Sequence, residues 1–449
     1  MIQEFAIPAV LFSLIFVGVL LRKTPLIQKK MIPAPILAGL LGFALMNSGL
    51  LQLDYAIYER ITFHLFTLSF ISITFMSINA PKRDKKGVFK GGLWLALIFG
   101  MMISVQALIG SAVFLGYDFF TGADLLPALG GMITHGFAQG PGQAVAIGTI
   151  WEGFGVENAA QYGLFYAASG YVFAFVFGVP FAKRLLKQRM LSGETPATQQ
   201  ETNALGLGLI RDEEKPVFGN QTAHHANLDT LTLHASLIGV TYLLAYGFAE
   251  GITRFVLKGA SSQTLVFGNM FVWGILFAFL IKAILKKTKF TYVIDPGVQG
   301  SITGFLVDTL TVSAMLAINI KLVFTGLVPM LINIAVVFVV TFFLVRYFAR
   351  RSGACANERF LAEFGIVTGT AATGLILLRI VDPQFKTPVA GEMVWWNILN
   401  LFVGILVILS QIAIPITNFW LWIGILTASI PVFLVLLKVF GLWGKKSAE

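Results

Sequence analysis

Eleven apolar runs divide this chain, at about 5–21, 32–51, 61–79, 91–116, 159–182, 231–249, 264–285, 298–320, 322–345, 392–414 and 416–438, each bounded by charged or turn-forming residues. About 20 such residues cross the hydrocarbon core of a bilayer as a helix. Two further segments, 125–150 and 360–380, are apolar overall but broken by glycine, proline and hydroxyl residues, and ordinary spanning helices are not expected there. Composition agrees, because 57% of the 449 residues are apolar and only 12% are charged, about half the charge that hydrates a soluble domain. The expected fold is an all-α polytopic membrane protein, which excludes single-span receptors and membrane-anchored soluble enzymes. Residues Met1–Phe5 contain Glu4 and no Lys or Arg, so the first run is expected to be a retained span rather than a cleaved leader.

The net charge of +10 would raise the question of nucleic acid in a soluble protein. Here Lys and Arg cluster between the apolar runs, where the positive-inside bias places them, and no nucleic-acid partner is expected. Arg22, Lys23, Lys29 and Lys30 follow the first run. Lys82, Arg83, Lys85, Lys86 and Lys90 follow the third, and Lys183, Arg184, Lys187 and Arg189 follow the fifth. All three clusters fall on the cytoplasmic side only if the broken segment 125–150 returns to the side it entered from. In the second half the same holds for Lys282, Lys286, Lys287 and Lys289, for Arg346, Arg350, Arg351 and Arg359, and for Lys438, Lys445 and Lys446, provided that 360–380 is also re-entrant. Arg254, Lys258 and Lys321 fall outside, against the rule. The single Cys355 offers neither a disulfide nor a metal cluster.

Each half then has five spans and one re-entrant broken hairpin, with opposite orientations: an inverted-topology repeat. The trio Thr67, Leu68 and Ser69 resembles Thr309, Leu310 and Thr311 at the equivalent place. The expected organisation is a first membrane repeat at 1–186, a polar cytoplasmic linker at 187–229, a second membrane repeat at 230–414, and an extra span and tail at 415–449.

The hairpins carry GGMITHGFAQGPGQAVAIG, Gly130–Gly148, and EFGIVTGTAATG, Glu363–Gly374. Unpaired backbone at bilayer depth costs several kcal/mol per group, so it persists only inside protein or beside a wet cavity. Two half-helices meeting at each tip present free amides, carbonyls and dipole ends that can hold a carboxylate and a small cation. Close packing of small residues accounts for one such segment equally well. Two at matching positions of opposed halves favour a binding site near the midplane and transport by alternating access. The expected substrate residues are Thr134, His135, Gly136, Gln139, Gly140 and Gly142 in the first hairpin, with Thr368, Gly369, Thr370 and Thr373 in the second. His135 can donate to a carboxylate or change charge near neutral pH, or be a neutral packing residue. Asp308 lies within an apolar run beside Thr309, Thr311 and Ser313, and an intramembrane carboxylate is a functional candidate by default. With Thr67 and Ser69 these form the expected site for a hard cation, which prefers oxygen ligands. Glu363 near Arg359 reads as an interfacial salt bridge, and His64 as a packing residue.

At these residues the chain resembles the bacterial glutamate:sodium symporter family. The resemblance rests on MIPAPILAGLLGF after the first run, VQALIGSAVFLGYD before the first hairpin, ITHGFAQGPGQA within it and GVPFAKRLLK closing the first half, and extends to about residue 410. It implies a secondary transporter of inverted repeats that couples sodium to uptake of glutamate or a related small carboxylate across the cell inner membrane, as a homodimer in contact with lipid. No cofactor is expected beyond sodium as the coupling ion. The first hairpin departs from the family's run of glycines at Gly136, Phe137, Ala138 and Gln139, the second at Val367 and Thr370, and the last span is an addition. A proton or cation exchanger with Asp308 as carrier is the alternative. No HExxH motif or paired carboxylates support an intramembrane enzyme.

Overall fold

The computed structural model describes residues 2–30, 32–76, 85–188, 219–224, 226–256, 266–382, 387–403 and 405–444, with Leu209 and Gln263. Most of the expected linker, with Lys82, Arg83, Arg189, Lys258, Lys445 and Lys446, lies outside the described residues. Among the described residues there is no strand. Besides the short helices Pro25–Lys30 and Ile414–Thr417, the α-helices among the described residues are α1 Ile2–Leu21, α2 Ala34–Asn47, α3 Tyr55–Met76, α4 Lys85–Thr121, α5 Pro127–Gly131, α6 Pro141–Gly153, α7 Ala159–Gln188, α8 Thr230–Phe255, α9 Met270–Lys287, α10 Pro296–Leu316, α11 Leu327–Ala349, α12 Ala356–Val367, α13 Ala371–Val381, α14 Val389–Val403, α15 Ile405–Ser410 and α16 Phe419–Val439. Among the described residues, five segments are long and apolar enough to cross a membrane: Gly87–Thr121, Ala159–Lys187, Thr230–Phe255, Ile320–Ala349 and Phe419–Val439. The protein is a multi-pass membrane protein on that composition.

Local signals set the ends. Pro33 in an extended conformation starts α2, and the turn at Gly49 (φ +79°) follows it, so the run expected over 32–51 is helical for 14 residues, about 21 Å of rise. By contrast α4 is a 37-residue helix that outruns its expected span at both ends. Asp229 caps α8 by accepting from the Leu231 amide, and Asp295 caps α10 by accepting from Gly297 and Val298.

Two packing groups emerge. In the first, α1 lies on α2 and α8 on α9, α2 packs against α10, α9 packs against α3, and α3 and α10 share the most extensive contact. That last joint is antiparallel and polar near both ends. Thr62 Oγ1 donates to Ser313 Oγ (3.2 Å), and Ser72 Oγ lies 2.7 Å from Thr303 Oγ1. These four hydroxyls are thus partnered across the joint, as burial favours. The second group joins α4 with α5, α11, α14 and α16 around one large apolar core. Here α16 is fastened by a 2.7 Å contact between Ser429 Oγ and Ser104 Oγ, and Trp422 and Phe433 fill the space beside Gly131 and Gly100.

The groups are stitched where α10 ends. Asn47 on α2 donates to Ile318 O (2.8 Å) and accepts from the Ile320 amide (2.9 Å). Gln161 on α7 donates to Ala317 O (3.1 Å) and accepts from the Asn319 amide (2.8 Å). Two side-chain amides therefore satisfy the loop backbone that leaves α10. One expected ion pair is corrected: Arg359 does not pair with Glu363. Its guanidinium instead makes two contacts, at 2.6 and 2.7 Å, with the Glu392 carboxylate of α14, the fork geometry that suits Arg and carboxylate.

Candidate functional site

Both broken segments are helix–turn–helix pairs. In the first, α5 leads into a wide π-helical turn at Thr134–Ala138, and then Gln139 and Gly140 hand over to α6. Gly140 takes φ +81°, which glycine adopts without strain, and Pro141 is pre-set for the first position of α6. In the second, Thr368, Gly369 and Thr370 separate α12 from α13. Thr370 is extended, and its hydroxyl accepts from the Thr373 amide at 3.4 Å.

The two tips touch. A Cβ built on Gly140 would stand 2.5 Å from Thr370 Cγ2 and 3.3 Å from Gly369 O. The backbone of α7 lies against both, since a Cβ on Gly170 would stand 2.7 Å from Thr368 O and 3.1 Å from Phe137 O. Only a residue without a side chain fits there. At the next residue, Tyr171 is buried, and its hydroxyl lies beside those of Thr311 and Thr370 without a regular hydrogen bond to either. Gly170 and Tyr171 are absent from the sequence-derived set. The small pair Ser169–Gly170 inside the apolar run of α7 is the signal that points to a close approach there.

The expected residues divide. Gly140, Gly369, Thr370 and Thr373 sit at the meeting point. Thr134, His135 and Gly136 are buried behind it, with Gly136 against the Gly163 carbonyl of α7. His135 stands edge-on to Trp151, with ring centroids 6.0 Å apart, and Gln139 Nε2 donates to Thr134 O at 3.3 Å. Gly142 faces the ring of Phe66 on α3. Thr368 Oγ1 donates to Phe364 O within its own helix at 2.5 Å.

On α10, Thr309 and Thr311 bond back to Phe305 O and Val307 O at 2.7 and 2.8 Å, which leaves hydroxyl lone pairs free. Ser313 donates to Tyr58 O (2.8 Å) and belongs to the α3 joint. Thr67 and Ser69 bond back to Phe63 O and Phe66 O, and Thr67 turns towards Gly274 of α9. Asp308 is exposed, one turn before Thr311, and its charge reaches Tyr171. The structure therefore brings Asp308 and Thr311 towards the tips and leaves Ser313, Thr67 and Ser69 in helix joints.

A cavity of about 420 Å³ opens between α3 and α6, bordered by Glu59, Arg60, Phe63 and His64 on one side and by Val145 and Thr149 on the other. That volume falls within the roughly 300–1,000 Å³ of small-molecule sites. His64 Nδ1 is held 2.6 Å from the Tyr242 hydroxyl. The cavity follows α6 away from the tip, so α6 links the two places.

A profile of the family described as sodium/glutamate symporter matches residues 2–351. That stretch contains the first hairpin, α7 and α10, and stops just before α12. No match is found among the curated proteins.

Proposed function

This chain belongs to the sodium/glutamate symporter family, and from that premise we propose that it carries glutamate or a related small carboxylate with sodium across the cell inner membrane by alternating access. The family is one of transporters rather than enzymes. The observation that carries the reading is the meeting of Gly140 with Gly369 and Thr370 under Gly170. There α6 and α13 both begin, and the first amides of a helix, which lack intrahelical partners, attract an anionic carboxylate. Asp308, the Thr311 and Thr370 hydroxyls, the Gly369 carbonyl and the partnerless Tyr171 hydroxyl offer the oxygen donors that a hard cation prefers. Sodium held there would screen the repulsion between Asp308 and an arriving carboxylate, which couples the two loads.

The inverted repeat is the framework of this proposal. Its support is the exchange of contacts between halves: α1 with α2 matches α8 with α9, and α2 with α10 matches α9 with α3. The homodimer and the re-entrant path of the hairpins belong to the same proposal. A second reading, a cation or proton exchanger with Asp308 as carrier, is favoured by one observation: Asp308 has neither ion pair nor hydrogen bond among the described residues.

Uptake of labelled glutamate and other small carboxylates into proteoliposomes, with and without an inward sodium gradient, separates the two. Sodium-driven accumulation is expected, and counterflow of cations with no carboxylate uptake would replace the first reading by the second. Thermal stability of the purified protein, screened with each carboxylate in sodium and in potassium, reports binding independently, because a ligand of the folded state raises its stability.

A further inference from the structure

Glu363 lies in the middle of α12, wholly buried, and neither carboxyl oxygen has a hydrogen-bond partner. A bare carboxylate in such a place is among the most expensive groups a protein can bury. The cation closest in sequence is already used, because Arg359 is committed to Glu392 one turn below. One turn above, the Val367 carbonyl accepts from Gln106 Nε2 of α4 at 3.0 Å, and the same nitrogen donates to Thr341 Oγ1 at 3.0 Å. Glu363 therefore sits between an ion pair at one level and an amide junction at the next.

Three helices run in the same direction here. Gly91 faces Glu392, and further along α4 Phe99 meets Trp396 and Gln106 meets Val367. The partnerless polar atoms Trp396 Nε1, Gln106 Oε1 and Asn400 Oδ1 belong to these elements. The charged and titratable groups on the elements packed against α12 are Lys85, Lys86, Lys90, Tyr117 and Asp118 of α4, Tyr162, Tyr166, Tyr171, Lys183, Arg184 and Lys187 of α7, Arg346 and Tyr347 of α11, Arg379 of α13, Glu392 of α14 and His135 of the π turn. Arg346 donates to Asn357 and lies over the Phe181 and Phe360 rings. No hydrogen bond or ion pair joins any of them to Glu363.

We propose that Glu363 is a proton site of the transport cycle, which takes a proton from one side of the membrane and releases it on the other as the second hairpin moves. The chemistry balances simply: an O–H bond forms on the carboxylate at loading and breaks at release, with water as donor and acceptor. This site is separate from the tips, four residues before Val367, and it makes the cycle proton-linked as well as sodium-linked. It rests on the transport reading above.

The test uses proteoliposomes containing a pH-sensitive dye, with glutamate uptake and internal pH followed together under a sodium gradient. Proton movement that accompanies uptake in the wild type and is lost in Glu363→Gln, with uptake retained or reduced, supports the site. Uptake without proton movement in the wild type, or unchanged proton movement in Glu363→Gln, overturns it and leaves the sodium-coupled reading intact. Should no carboxylate be taken up, the functional reading fails instead, and the site is then judged by melting temperature from pH 5 to 9. A carboxyl that holds its proton only in the folded protein lowers stability as pH rises, so the wild type should lose stability relative to Glu363→Gln across this range. A difference that does not vary with pH overturns the proposal.

Discussion

Gly170→Ala is the sharpest probe of the meeting tips. The added methyl would stand 2.7 Å from Thr368 O, 3.1 Å from Phe137 O and 3.2 Å from Phe137 Cα. Ordinary contact begins near 3.4 Å, so α7 and the second hairpin must part by about 0.7 Å, the difference between 3.4 and 2.7 Å, and the atoms in the way are backbone that cannot rotate aside. Overpacking of this kind costs about 1–3 kcal/mol. If the strain falls on the arrangement that holds substrate, apparent affinity drops by roughly 5- to 150-fold, at a factor of ten per 1.4 kcal/mol. The assay is sodium-driven glutamate uptake against concentration, with melting temperature alongside. Gly239→Ala on α8, where a Cβ meets nothing within 4 Å, is the control and should weaken neither affinity nor melting temperature. Gly170→Ala with unaltered affinity and unaltered melting temperature would refute the claim that both tips press on α7.

Asp308→Asn is expected to abolish the dependence of uptake on sodium while glutamate binding without sodium persists, as read by uptake in sodium and potassium media. Removing Arg359 leaves the Glu392 carboxylate, with 1% side-chain exposure, buried and unpaired. Arg359→Gln should therefore cost about 3–5 kcal/mol, and Arg359→Gln with Glu392→Gln should recover much of it, both measured by thermal melting. Asp295 is partly withdrawn from water, which raises its pKa, but the amides of Val298 and Gly297 and the side chain and backbone of Asn220 outweigh that and hold it below the ordinary value. A depressed carboxyl contributes stability above the unfolded pKa and loses it as pH falls through the folded one. Asp295→Ala should cost about 1 kcal/mol at neutral pH, and the gap between variant and wild type should close below about pH 4.

The broken segments were legible because their breaks are written in backbone chemistry. Gly140 and Pro141 specify a handover from one helix to another, and Thr368, Gly369 and Thr370 cannot continue a buried helix without a reason. Side-chain direction was less legible. Thr67, Ser69 and Thr309 look like cation ligands in sequence, and each hydroxyl donates back to its own helix, which leaves its lone pairs free but does not reveal from sequence which way they face. Tyr171 reads as one more aromatic of an apolar run, because nothing in its neighbours reveals that α7 passes under both tips. The spacing of Arg359 and Glu363 suits a pair along one helix. Glu392, 33 residues further on, wins because α14 delivers a carboxylate in fork geometry. Long-range choices of this kind depend on which helices become neighbours, and hydrophobic periodicity does not encode that.

The contacts that exchange so evenly among α1–α3 and α8–α10 fail to exchange for the hairpins. Helix α6 lies along α3, with Gly142 under Phe66, whereas α13 makes no comparable contact with α10. Under the proposed repeat, these are two occupants of the same kind of berth, one docked and one empty. A seesaw resting on one side behaves so: tilting it the other way would seat α13 on α10 and lift α6 from Phe66, with no helix refolded. On the proposed alternating-access reading, the opposite end of the stroke would follow by letting each half borrow the posture of its proposed twin.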